Sequence, residues 1–156
     1  MSIARLLSLL LPLLLVLPVA AIADEPDYAA LNRSLIDGHA VPRYALFKAE
    51  SRHFLDLVQR GCTDGDVTVA ALQAGFHRLS DSWQMVQHLR FGPVLEQHRL
   101  ERIQFWPDKK NLTSKHLKKA IRAADPALLE PERFAAASVA LQGLPALERL
   151  LFPAAP

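Results

Sequence analysis

The chain has 156 residues, of which 51% are hydrophobic and 22% are charged, with 11 Pro and one Cys. This composition indicates one ordinary domain and excludes a disordered tail, a collagen-like repeat and a disulfide-framed mini-protein. The formal net charge of +2 is too small to indicate a nucleic-acid partner.

The first 23 residues predict a secretory signal peptide. Arg5 is their only charge, a nearly unbroken Leu stretch follows it, and Ala21-Ile22-Ala23 fits a small-x-small cleavage site. Two prolines interrupt the apolar stretch, which therefore suits a transmembrane anchor poorly. We expect export to the periplasm or cell envelope, with the folded domain at residues 24–156.

The rest of the chain shows helical periodicity and no convincing strand pattern, which predicts an all-α fold built as a helical bundle. Gly38 and Pro42 are expected to separate a first helix near residues 28–37 from a second near 43–60, because proline disrupts a helix. The second helix should bury the apolar residues Tyr44, Phe47, Phe54, Leu55 and Val58.

Apolar residues spaced three and four positions apart predict a third, amphipathic helix. Its face consists of Val69, Leu72, Phe76, Leu79, Trp83 and Val86 and continues to Arg90. Asp66 or Thr68 can cap the start of this helix, and Gly92-Pro93 should end it.

Three further helical segments are predicted after this stop. One spans Pro93 to Gln104, one spans Ser114 to Ala123 with Thr113 as N-cap, and the last spans Pro131 to Phe152 with a break around residues 143–145. Asp125-Pro126 should begin a short capped turn. Because the connections are short, we expect neighbouring helices to pack antiparallel.

Three segments combine aromatic, charged and rigid residues in ways that packing alone does not require. They are Trp83 to Pro93, Arg102 to Asp108, and Ser138 to Phe152. Their candidate ligand or motif residues are Arg90, Gly92, Pro93, Arg102, Trp106, Asp108, Gly143 and Glu148. Such charges can contact a ligand, but Arg90 and Asp108 can equally cap helix ends and tie loops together.

Carboxylates and imidazoles at helical spacing suggest a second kind of site, a metal-binding helical bundle. Glu50 and His53 lie three positions apart, as do His98 and Glu101. A di-iron bundle needs two Glu-x-x-His motifs and two further Glu, and only the first motif occurs here. A helical zinc peptidase needs His-Glu-x-x-His, which is absent from the sequence. Solvated helix faces are therefore the favoured interpretation of both pairs.

Nucleophilic catalysis finds little support in the sequence. The Gly-x-Ser-x-Gly pattern is absent. Cys62 follows Gly61 at the predicted end of a helix, where the dipole disfavours a reactive thiolate, so we expect a structural role for it.

At the three segments the chain resembles the imelysin-like family, which comprises exported bacterial helical proteins associated with iron uptake and classed among the peptidases. The resemblance rests, in this order, on Trp83 with Arg90-Phe91-Gly92-Pro93, on Arg102-Ile103-Gln104-Phe105-Trp106-Pro107-Asp108, and on Gln142-Gly143-Leu144-Pro145-Ala146-Leu147-Glu148 through Phe152. It covers about residues 28–152. It implies an all-α fold of two helical-bundle halves, and iron or another divalent metal as a cofactor.

The resemblance also brings a Gly-x-His-x-x-Glu motif, a proposed metal or active-site element, which falls on Gly143, Pro145 and Glu148. Proline has no lone pair for a metal, and a single Glu148 cannot hold an ion alone. We therefore assign neither a bound metal nor peptidase activity to the chain. Pro145 suits the start of a helix, and Glu148 is expected to pair with Arg90 or Arg102.

The leading interpretation is an exported periplasmic or cell-envelope protein, a non-catalytic binding or interaction module linked to iron handling. A metallopeptidase-like enzyme and a metal-binding helical bundle are the alternatives, and other envelope or iron-uptake proteins are the expected partners. Since the resemblance implies a second helical half after the motif, we expect the chain to be truncated at its C-terminus. Exposed helix faces could then associate, and Cys62 would lack a partner.

Overall fold

A computed structural model describes residues 26–153 of the protein, so the predicted signal peptide lies outside the described residues. Within that range the chain is helical and contains no strand, which confirms the all-α prediction. The α-helices are α1 (Tyr28–Leu35), α2 (Val41–Thr63), α3 (Val69–Gln84), α4 (Arg99–Ile103), α5 (Leu112–Ala123), α6 (Pro131–Ala136) and α7 (Gly143–Leu151). None of the helices in this range is both long enough and apolar enough to span a membrane.

The chain divides into two compact units between Asn32 and Arg33. The described part of the first unit is residues 26–32, where the Asp27 carboxylate accepts the Ala30 N–H at 2.8 Å. The second unit contains the remaining described residues and all of the sites discussed below.

The predicted helix break at Gly38 and Pro42 is wrong. Ile36–Ala40 forms one π-helical turn that leads directly into α2, and the Val41 N–H donates to the Ile36 carbonyl, five residues back. Pro42 lies in the first turn of α2, where the missing N–H costs little. The wider turn therefore lets the chain stay helical through two residues that normally interrupt a helix.

Helices α2 and α3 pack antiparallel, as their short connection predicts. The Phe47 and Trp83 ring centroids lie 5.2 Å apart, and further along α2 the Glu50 carboxylate lies 3.6 Å from Arg78. Later residues of α2 thus meet earlier residues of α3. This pair forms the larger part of the core.

The apolar face predicted for α2 is confirmed at Phe54, which is buried, and wrong at Leu55, which is 53% exposed. Leu57 takes the buried place, because it lies three residues after Phe54 and on the same helix face. A Cβ on Gly75 would lie only 2.8 Å from Leu57 Cδ1, so the two helices approach closely there. The other predicted residues, Tyr44, Phe47 and Val58, are half-buried against the core.

Helix α3 begins as predicted at Thr68, whose Oγ1 accepts the Ala71 N–H at 3.2 Å. It ends at Gln84, however, and turns follow, so Arg90 lies beyond the helix and is exposed. Of the predicted apolar face, Phe76, Leu79, Trp83 and Val86 are buried, Leu72 is half-buried and Val69 is exposed. The buried members form one core cluster with Phe54, Val94 and Leu144.

The helix predicted from Pro93 to Gln104 is divided in two. A 3-10 segment, Gly92–His98, precedes the short helix α4. Gln97 and His98 have left-handed φ values of 52° and 56°, which a continuous α-helix cannot contain.

The C-terminal segments also differ from the sequence prediction. Thr113 is not an N-cap, because α5 already begins at Leu112. The break in the last predicted helix comes earlier than expected, between Ala136 and Gly143, and contains a 3-10 turn, Val139–Leu141. Pro145 lies in the first turn of α7, as its lack of an N–H predicts.

Two smaller expectations concern single residues. The Asp125 carboxylate accepts the Ala127 N–H at 3.0 Å, which confirms a capped turn at Pro126–Leu129. Cys62 lies in the last turn of α2 rather than after a helix end, and its side chain is exposed. This thiol is therefore not part of the core.

Candidate functional site

The second and third candidate segments meet at Arg102 and Gln142. Arg102 Nε donates to Gln142 Oε1 at 3.2 Å, and Arg102 Nη2 donates to the Ala135 carbonyl. Gln142 Nε2 in turn donates to the carbonyls of Phe134 and Ala137, both at 3.0 Å. These hydrogen bonds hold the stretch before α7 against α4. Arg102 thus positions backbone rather than projecting freely towards a ligand.

Gly143 lies directly against the backbone at the end of α4. Its φ is +72°, and a Cβ at this position would lie 2.3 Å from the carbonyl oxygens of both Arg102 and Ile103. Both the backbone conformation and the close approach exclude a side chain. The glycine of the family motif therefore has a steric role here.

Trp83 joins the first candidate segment to the second. Its indole is fully buried and donates Nε1–H to Oε1 of Gln104, the residue that directly follows α4. A buried indole N–H needs such an acceptor. Gln104 and Gln142 belong to the resembling motifs but were not among the candidate site residues, because spacing along the chain does not show which segments their amides join.

Asp108 holds the start of α5. Its Oδ1 accepts the Leu112 N–H at 2.6 Å and its Oδ2 accepts the Thr113 N–H at 3.0 Å. Partial desolvation raises the pKa of this carboxyl, but the two backbone donors, the nearby Thr113 side chain and the positive charge of Arg149 outweigh it and lower the pKa below its ordinary value. Asp108 therefore acts as a capping carboxylate.

The Thr113 hydroxyl is close enough to influence that carboxyl but lies outside hydrogen-bonding geometry. The side chain is 1% exposed, and its Oγ1 has no hydrogen-bond partner within the described residues. Burial of an unpaired hydroxyl costs free energy of desolvation that an isosteric methyl group does not, and this cost opposes its favourable effect on the Asp108 carboxylate.

Arg90 and Trp106 line one polar groove with a volume of about 560 Å³. The other residues around it are Gln84, Gln87, His88 and Gln104. The Trp106 ring is 77% exposed, and the Trp106–Pro107 peptide bond is cis. An exposed indole beside a guanidinium and several amides offers stacking and hydrogen bonds to a planar or anionic ligand. This groove is the candidate binding surface; we call it the Trp106 groove.

Gly92 and Pro93 lie outside this groove, in the exposed 3-10 segment. Gly92 has a φ of +65°, and the Pro93 carbonyl accepts a hydrogen bond from Arg99 Nη1 at 2.7 Å. They shape the turn that carries the chain from Arg90 to α4.

Glu148 is exposed on α7, and the predicted pairing with Arg90 or Arg102 is wrong. Arg90 lines the Trp106 groove, whereas Arg102 is bound to Gln142. Among the described residues, Glu148 forms no ion pair. Its carboxylate faces solvent one turn after Pro145.

The two pairs at helical spacing lie apart from each other as well. Glu50 is engaged with Arg78, and His98 Nδ1 lies 3.9 Å from Glu101 on an exposed segment. Within residues 26–153, nowhere do three His, Cys, Asp or Glu side chains group as a metal site would require. A four-ligand site built from Glu50, His53, His98 and Glu101 is therefore wrong.

A second concavity is an apolar cleft of about 860 Å³ between α5, α7 and the turns that connect them. Ile121, Leu129 and Leu150 are among its lining residues and are strongly exposed. Its polar lining comes from Asp125 and Gln142. The cleft borders Gly143, so the motif segment lines an apolar surface.

The described fold is all-α, and a Gly-x-x-x-x-Glu segment opens α7. Both features are those that the resemblance to the imelysin-like family predicts. The imelysin family model, of peptidase group M75, matches residues 40–155. Because the match covers most of the chain, the protein belongs to the imelysin family. No curated protein and no solved structure matches it.

Proposed function

We propose that this imelysin-family protein is a non-catalytic binding module, exported to the cell envelope and acting in iron handling. The non-catalytic role is supported by the environment of Glu148. Pro145 occupies the position of the motif histidine, and Glu148 points to solvent with no His, Cys, Asp or Glu cluster around it in the described residues. A metallopeptidase needs both a held ion and a positioned base.

The Trp106 groove supports the binding role. Arg90 supplies a fixed positive charge and Trp106 supplies an exposed aromatic face. A guanidinium binds carboxylates well, so a polycarboxylate chelate of iron fits the chemistry of this groove. Export is supported by the predicted signal peptide, and iron handling is supported by the family.

The catalytic alternative is tested by assaying the purified protein and the Glu148→Gln variant on fluorescein-labelled casein. We expect no hydrolysis by either protein and no stoichiometric iron or zinc that depends on Glu148. Glu101→Gln, which removes another exposed carboxylate, is the control. Hydrolysis by the wild type that disappears in Glu148→Gln alone would overturn the proposal in favour of a metallopeptidase-like enzyme.

Binding is tested by titrating ferric citrate while the tryptophan fluorescence is recorded. We expect saturable quenching that is lost in Trp106→Phe and weakened in Arg90→Gln, with Arg52→Gln on the exposed side of α2 as control. Metal-free citrate separates recognition of the carboxylates from recognition of iron. Equal quenching in all of the variants would show that the Trp106 groove does not bind the chelate.

A further inference from the structure

Two histidines meet where the π-helical turn packs against the turn after α3. His39 lies in the π turn and is half-buried, whereas His88 is exposed. Their Nε2 atoms are 3.2 Å apart, and their ring centroids are 5.2 Å apart. π turns occur frequently at functional sites, because the inserted residue redirects a side chain. The sequence reasoning did not single out either histidine.

The separation of the two nitrogens suits a shared metal ion. Zinc–imidazole bonds are about 2.0–2.1 Å long, so two ligands of a tetrahedral ion have nitrogens ~3.3 Å apart and two at a right angle ~2.9 Å apart. The observed 3.2 Å falls between these values. In the metal-free form one ring donates to the other; once both rings carry their proton on Nδ1, both Nε2 lone pairs can bind one ion.

We propose that His39 and His88 form a two-histidine binding site for a divalent ion of the zinc and copper class. Zinc and copper ions bind imidazole nitrogens well. Mg²⁺ and Ca²⁺ instead require oxygen ligands, which the two histidines do not offer. Water completes the coordination. The site is distinct from Glu148 and does not depend on the function proposed above.

The surroundings predict an exchangeable ion rather than a permanently held one. Arg43 follows His39 by one helical turn and donates to Met85 Sδ at 3.0 Å, and Arg90 lines the groove beside His88. These positive charges oppose a cation. With two protein ligands and two nearby guanidinium groups, the affinity should be lower than that of a structural zinc site.

The test uses untagged, metal-free protein titrated with Zn²⁺ in competition with a chromophoric chelator. We expect one Zn²⁺ site per chain that competes with the chelator. The affinity for Zn²⁺ should fall at least ~10-fold in both His39→Gln and His88→Gln, because even substitutions around metal ligands lower metal affinity 10–100-fold. His53→Gln on the exposed face of α2 is the matched control and should bind like the wild type. Affinity should also fall from pH 7.5 to 5.5, because protons compete for imidazole.

A second measurement does not depend on variants. With one equivalent of Cu²⁺, the electron paramagnetic resonance spectrum of the wild type should show splitting from two nitrogen ligands. Splitting from a single nitrogen, unchanged Zn²⁺ affinity in both His39→Gln and His88→Gln, or an equal loss in His53→Gln would overturn the assignment.

Discussion

Replacing Gly143 by Ala tests whether this motif glycine is required for packing. A left-handed φ costs an L-residue about 1–2 kcal/mol. A Cβ 2.3 Å from two backbone carbonyl oxygens forces α7 away from α4, and overpacking of this kind costs about 1–3 kcal/mol. The smaller entropy of the unfolded Ala chain returns about 0.4–1 kcal/mol. We therefore expect a net loss of about 1–5 kcal/mol, centred near 3, which is a large share of an ordinary domain's ~5–15 kcal/mol.

The assay is thermal unfolding followed by circular dichroism, with two glycine controls. At roughly 4 °C per kcal/mol for a domain of this size, Gly143→Ala should lower the melting temperature by roughly 4–20 °C, with a central value of about 12 °C. Gly65 has a φ of +68° but no described atom within 4 Å of its Cβ position, so Gly65→Ala should lose roughly 4 °C. Gly38 has neither constraint, so Gly38→Ala should melt at the wild-type temperature or a few degrees above it.

The melting temperatures of Gly143→Ala and Gly65→Ala together test the steric account of Gly143. If Gly143→Ala melts together with Gly65→Ala, the close approach to Arg102 and Ile103 does not limit stability, and the steric account of the motif glycine is refuted. If it melts lower, the glycine is explained by packing without any catalytic role.

Three further substitutions test the joints between the candidate segments. Asp108→Ala should lower the melting temperature by a few degrees at pH 7, because two N–H groups of α5 lose their acceptor. Because the pKa of Asp108 is lowered in the folded state, its stabilising contribution is complete at pH values above the ordinary aspartate pKa. The contribution disappears as the pH falls through the lowered pKa. A difference in melting temperature between Asp108→Ala and the wild type that persists in acid would contradict this role. Thr113→Val should melt at or above the wild-type temperature, and a loss of about 1 kcal/mol or more would show that its hydroxyl is hydrogen-bonded after all. Trp83→Phe should lower the free energy of unfolding in urea by about 1–3 kcal/mol, because Gln104 loses its partner; an unchanged midpoint would show that this hydrogen bond is unimportant.

Local patterns were sufficient to predict the helices that bury a continuous apolar stripe. The three-and-four spacing from Phe76 to Trp83 correctly identified the core face of α3, and Thr68 was correctly identified as its cap. Both depend on neighbours within one or two turns, so they are encoded in the sequence itself. The predicted start of α7 near Pro145 has the same origin.

Predictions that assumed a regular α-helix were wrong where the backbone departs from one. The π turn absorbs Gly38 and Pro42, and left-handed Gln97 and His98 divide a helix that the sequence presents as continuous. The residue that replaces Leu55 in the core is decided by where α3 approaches α2, at Gly75. Such choices depend on packing against a distant segment, which no local pattern records.

The candidate residues were chosen from three sequence segments, but their surroundings are set by contacts across the chain. Arg102, Asp108 and Gly143 hold segments together, whereas Arg90 and Trp106 share an open groove. None of these partnerships follows from spacing, because the joined residues lie on different helices and turns.

The sequence by itself determined the helical class, the family and the proline at the position of the motif histidine, because each is written in residue identity and short-range spacing. Only the tertiary structure decided that Glu148 faces solvent and that His39 meets His88 across 49 positions of chain. Antiparallel packing of α2 on α3 places those two rings together. The physical reason is that a side chain's environment is set by the segments folded against it.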